Sequence, residues 1–218
     1  MGTGGWGRDG IDEWAAAFCG AVARGEFGWA HRLMDGLSQE REDRIRWVLG
    51  RAMLYARQRE YTAALDVVRG WLDTAAAEDP FRSELEHAHA DYAAVGFLAG
   101  AFPAAATSPL LRTAAAAAAA DPTRSPACPV TVALDVQEGR SEQALSRLRR
   151  HRRASLLGDR RTRANADVLI AVCLAELGDL AEAEKAIRRA TRIAPGLALI
   201  PMARAHVAAV AGGVADRP

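Results

Sequence analysis

The sequence predicts an all-α fold, an α-solenoid of four to five helix-turn-helix hairpins, on three observations. The first is composition: of 218 residues 49 are alanine and 27 arginine, against a single lysine, Lys185. Helix formers therefore dominate, while β-branched residues are scattered and rarely alternate with polar ones, which argues against a sheet. The second is that apolar residues recur at helical spacing. The third is a 34-residue period: Phe27 and Tyr61, Ala30 and Ala64, Met34 and Val68, Leu37 and Trp71, Trp14 and Val48, and Phe18 and Ala52 all share that offset. Periods of this length mark stacked supersecondary units.

Residues 1–10 are Gly-rich and read as a disordered tail ahead of the first unit. That unit, Ile11 to Arg44, carries Trp14, Phe18, Gly25, Phe27, Ala30 and Met34. The second, Ile45 to Glu78, carries Ala52, Tyr55, Tyr61, Ala64 and Val68, with Arg59 where the first has its turn glycine. The third, roughly Pro80 to Arg124, is too long for one period; it holds Gly100, Phe102, Pro103 and Pro109 before the tract Ala114 to Ala120. Asp121-Pro122 and Ser125-Pro126 then break the chain, making a linker or hinge between repeats in 11–124 and repeats in 125–197. The fourth, about Ser125 to Gly158, begins with Pro126 and Pro129, which shorten its first helix, and continues through Gly139, Ala144, Leu145 and Leu148. The fifth, Ala164 to Leu197, has Ile170, Ala171 and Leu174, then Gly178, Ala183, Ile187 and Ala190, and stops at Ala194-Pro195. A capping helix and tail fill 198–218, the helix starting near Pro201 and running to Val210.

Each unit has one logic. A helix ends at a turn, an aromatic or Leu anchors a second helix, and a small Ala sits where the two cross, because close approach tolerates nothing larger. Ala30, Ala64 and Ala183 are accordingly expected to be buried.

With those residues in place the chain resembles tetratricopeptide repeats over most of Ile11 to Leu197, the last unit most closely. The resemblance, with the arginine-rich composition of a GC-rich genome, implies a bacterial, actinobacterial, chain whose hairpins form a right-handed superhelix. It implies a concave groove lined by the first helix of each hairpin. Groove positions carried over residue by residue are Asp12, Ala15 and Cys19; Arg46, Leu49, Met53 and Arg57; His87 and Ala90; and Asn165, Val168 and Val172. Family members that grip a chaperone's terminal carboxylate use Lys and Asn where this chain has Ala15 and Cys19, so that function is not expected. The implied role is a non-enzymatic scaffold or adaptor holding a partner peptide or helix, an acidic one if Arg46 and Arg57 act as anchors. A stand-alone sensor, related to the helical-repeat domains of bacterial transcription regulators and flexing near Asp121, is the alternative.

Chemistry-bearing motifs are sparse. No G-x-S-x-G, Walker A or strand-borne G-x-G-x-x-G occurs. Glu84, His87 and Asp91 share one helix face and would be the ligands of a metal-dependent enzyme, but ordinary ion pairs on a solvated face explain them as well. No cofactor is expected. Cys19, Cys128 and Cys173 form no framework, and Cys19 and Cys173 read as small core residues. Sparse cysteines and the lack of an apolar leader point to the cytoplasm, and no stretch reads as a membrane span.

Charge is concentrated on Arg147, Arg149, Arg150, Arg152 and Arg153. Such a run suits an acidic partner, or simply water. Net charge of +1 and little aromatic interleaving argue against nucleic acid. The last helix is nearly all apolar, so Met202, Val207 and Val210 are expected to form an exposed patch for a homodimer or a docked partner.

Overall fold

The computed structural model describes residues 8–37, 41–120, 128–154 and 159–215, with side chains omitted at 8–12, 41–43, 120, 214 and 215. The described residues are all-α and contain no strand. The helices are α1 (Arg8–Arg24), α2 (Phe27–Asp35), α3 (Arg41–Arg57), α4 (Tyr61–Leu72), α5 (Arg82–Leu98), α6 (Ala104–Ala120), α7 (Pro129–Gln137), α8 (Ser141–Ala154), α9 (Arg160–Glu176), α10 (Leu180–Ile193) and α11 (Leu199–Ala215). Two compact units divide inside α5, at 89/90. The expected junction at 124/125 and the hinge at Asp121 lie outside the described residues, as does the tail through residue 7. Helix α1 begins at Arg8 rather than Ile11, and α11 extends past Val210 to Ala215.

One turn is used five times. Gly25, Arg59, Gly100, Gly139 and Gly178 all have positive φ, from 66° to 82°. In each case the following residue's N–H reaches back five positions: Glu26 to Ala21, Glu60 to Tyr55, Ala101 to Gly96, Arg140 to Asp135 and Asp179 to Leu174, at 2.7–2.9 Å. The turn residue itself bonds the carbonyl three positions back. This paired pattern is the Schellman termination, which satisfies carbonyls left open at a helix end and requires a left-handed residue. Four of the five sites use glycine; Arg59 holds the same conformation with a side chain.

The next helix then starts in a fixed register. Ala30, Ala64, Ala144 and Ala183, each five residues after the turn residue, are wholly buried. So are Met34, Val68 and Leu148, and almost wholly Ile187, four residues further on. The third turn departs. Its second helix begins at Ala104, four residues after Gly100 instead of two, because the Phe102 ring packs directly over Gly96, where even a Cβ would fall within 2.2 Å. The register slides by two: Ala105 is exposed, Thr107 takes the crossing position at 4% exposure, and Leu111 is buried one turn on. That slide is why the third unit reads as out of period.

In unit 1, α2 packs on α1 and α3, and α4 on α3. The core holds Trp14, Phe18, Ala30, Met34 and Leu54, with the Trp14 and Phe18 rings stacked 5.1 Å apart. Trp14 Nε1 donates to the Leu33 carbonyl at 3.0 Å. In unit 2, α9 is the central helix, contacted by α7, α8, α10 and α11. Pro129 begins α7, which is nine residues long where α9 has 17, as the proline pair predicts.

Candidate partner-binding surfaces

The two units treat their first helices differently. On α3, Arg46, Leu49, Met53 and Arg57 are half-buried along one side. Met53 leans on the unit 1 core, and Arg57 Nη2 donates to the Val22 carbonyl at 3.4 Å, tying α3 to α1. Arg46 and Leu49, with Ile45 below them, line a cavity of about 300 Å³ whose other wall is Phe81 and Glu84. Its floor is apolar, with one cationic and one anionic side chain at its edge. Phe81 escapes the repeat reading because it precedes its helix. Its backbone N–H donates to Asp79 Oδ1 at 2.9 Å, which orders the entry to α5.

On α9 the groove expectation fails. Val168 and Val172 are completely buried, because α7, α8, α10 and α11 enclose this helix. Asn165 is half-buried at the start of the buried stretch. Of the other carried-over positions, His87 is half-buried, Cys19 is exposed, and the side chain of Asp12 lies outside the described residues. Cys19 is thus not the core residue its apolar neighbours suggest. Cys173 is: burial pushes its thiol up to about 12, leaving it protonated and inert at neutral pH.

The arginine run on α8 splits. Arg147 Nη2 lies 2.8 Å from Asp135 Oδ2, and Arg140 Nη2 donates to Oδ1 of the same nearly buried carboxylate at 2.9 Å. Arg152 Nε lies 2.6 Å from Asp167 Oδ1, and Arg189 Nε lies 3.5 Å from it; Asp167 is wholly buried. Two arginines per buried carboxylate link α7 to α8, and α8 and α10 to α9. Removing either acid would strand cations around an apolar core. Both acids were legible as lone charges inside apolar runs, Ala133-Leu134-Asp135-Val136 and Ala166-Asp167-Val168. The remaining three, Arg149, Arg150 and Arg153, are exposed. With Glu142, Leu145, Ser146 and Leu177 they line a cavity of about 500 Å³.

The patch expected on α11 is largely absent. Met202 is completely buried and Val207 is 4% exposed, while Val210 is half-exposed. His206 is buried: Nδ1 donates to the Leu98 carbonyl at 2.8 Å and Nε2 sits 2.7 Å from Glu176 Oε1. The apolar face of α11 is spent on α9.

No group of three metal-ligating side chains converges among the described residues, so Glu84, His87 and Asp91 do not form the metal site weighed above. Among the same residues no helix is long and apolar enough to cross a membrane. Comparison of the chain with protein-family models, curated proteins and solved structures returns no match.

Proposed function

We propose that the chain is a protein-interaction scaffold, an array of tetratricopeptide-like hairpins that holds a partner peptide or helix against the first helices of unit 1. The observation that carries this reading is the cavity between Ile45, Arg46 and Leu49 of α3 and Phe81 and Glu84 at the start of α5. Two first-helix elements flank it, which is where stacked hairpins bind ligands. The recurring turn and the buried alanines support the hairpin array. An apolar partner side chain fills the floor, while a carboxylate on the partner meets Arg46 and a cation meets Glu84.

The test is affinity capture from native cell extract, followed by titration of the purified captured protein. Arg46→Glu should weaken that complex about tenfold or more without lowering the melting temperature, because it places like charges against each other. A partner whose affinity ignores both Arg46→Glu and Phe81→Ala would show that this cavity is not the working surface.

A further inference from the structure

The outer face of α8 is a second candidate surface, and it belongs to unit 2 alone. Glu142, Ser146, Arg149, Arg150 and Arg153 follow one another at steps of four, three, one and three residues, so they form a single stripe down the helix. On the opposite face Ala144 and Leu148 are buried, Leu145 is buried along the edge of the stripe, and Arg147 and Arg152 turn toward Asp135 and Asp167. The stripe is therefore what remains once the fold has used the charges it needs.

Two features mark the surface around the stripe. Among the described residues, Arg149, Arg150 and Arg153 are exposed and form no ion pair, and Glu182, which feels the Arg149 charge, is itself bonded to Lys185 at 2.6 Å. The helix dipole accounts for cations in the last turn, His151 to Arg153, but not for Arg149 and Arg150. The second feature is Leu177, which ends α9 just before the Gly178 turn. It is 47% exposed, and Trp29 is the other large hydrophobic exposed to that degree among the described residues. A polar residue would suit a helix end better. Leu177 instead joins Leu145 to give the arginine cavity an apolar wall.

We propose that this surface docks an acidic segment of a protein partner, in which one large apolar side chain sits beside two or more carboxylates. The apolar group enters between Leu145 and Leu177. The carboxylates take Arg149, Arg150 and Arg153, whose planar guanidinium groups match carboxylates in pairs. Nucleic acid fits less well. Glu142 repels phosphate at one end of the stripe, no aromatic ring lines the cavity for base stacking, and Arg149 to Arg153 span only about 6 Å of helix. That length serves one or two phosphates, well short of a backbone track.

The experiment pans random linear peptides displayed on phage against the intact chain, with an Arg150→Glu, Arg153→Glu variant as the parallel bait. The expected result is enrichment, on the natural chain alone, of peptides carrying Asp or Glu on either side of Leu, Ile or Phe. A synthetic copy followed by fluorescence anisotropy should bind at least about tenfold more weakly to the double variant and about threefold more weakly to Leu177→Ala. Arg150→Gln with Arg153→Gln should show an intermediate loss, which covers any folding defect of the reversed charges. Arg46→Glu should leave this peptide's affinity unchanged, so failure here and failure of the α3 cavity are read separately. Enrichment that is equal on both baits, or affinity indifferent to Leu177 and the arginines, overturns the proposal. So does tight oligonucleotide binding with a steep salt dependence that the double variant abolishes, in the absence of acidic peptides.

Discussion

Helices α3 and α9 occupy the same place in the repeat: each precedes a Schellman turn and pairs with a helix whose crossing alanine is wholly buried. Their fates diverge. Arg46, Leu49, Met53 and Arg57 of α3 stay half-open, whereas every residue from Ala166 to Ala175 of α9 is buried. Position within a hairpin therefore does not set exposure; what lies over the helix does. In unit 2, α11 covers α9, and the cover is written into both partners. From Val168 to Ala175 the sequence contains no polar side chain, and a helix apolar all round must be enclosed. Helix α3 keeps arginines at 46, 51 and 57 and has an apolar side only.

The strongest challenge to that contrast is the same charge placed on each helix. Val172→Asp should destabilise unit 2 by about 4 kcal/mol or more, since a carboxylate there has neither water nor a partner. Leu49→Asp should cost about 1–1.5 kcal/mol, in proportion to the half side chain removed from water. All five tryptophans lie in unit 1, so fluorescence in urea reads the second variant, and far-ultraviolet circular dichroism reads both. Equal losses would mean that α9 is no more enclosed than α3.

A smaller effect probes the register. Ala183→Leu should overpack the α9–α10 crossing by about 1–3 kcal/mol. Ala105→Leu, at the nominally equivalent but slid position of α6, should change stability by no more than about 0.5 kcal/mol. Chemical denaturation of the two variants side by side distinguishes the slid register from a regular one.

The smallest effect compares the turns. Arg59→Gly should stabilise by about 0.5–1 kcal/mol by relieving the only non-glycine left-handed backbone among the described residues. Gly178→Ala should destabilise by about 1 kcal/mol for the converse reason. Thermal melts of both variants suffice, and a destabilising Arg59→Gly would assign the arginine side chain a role the turn geometry does not require.

Much of the helical pattern was legible because its signals are local. Turn residues, crossing alanines and proline-shortened α7 each act within a few residues of themselves. The third unit was harder, since the slide of α6 depends on Phe102 finding room over Gly96, a contact that spacing alone does not announce. The candidate sites were legible on α3 and obscured elsewhere. Arg46 and Leu49 line a cavity, but Phe81 lies outside any periodic pattern. Val168 and Val172 were placed in a groove by the repeat resemblance, and Met202 and Val207 were read as surface because the last helix, taken alone, looks unpartnered; α9 and α11 pack on each other. The arginine run read as one patch because charge density along a sequence does not reveal that Asp135 and Asp167 claim part of it.

The bond from His206 to the Leu98 carbonyl joins residues 108 positions apart. A ribosome adds residues in order, so the end of α5 waits through the synthesis of α6 to α10 before its last carbonyl meets its donor. Helix α9, with its unbroken apolar stretch, waits for the same segment. For that interval the nascent chain leaves this apolar surface uncovered, and the synthesis of α11 is what hides it. A stop just before α11 would therefore cost more than a missing helix: it would release a product whose apolar α9 surface stays bare.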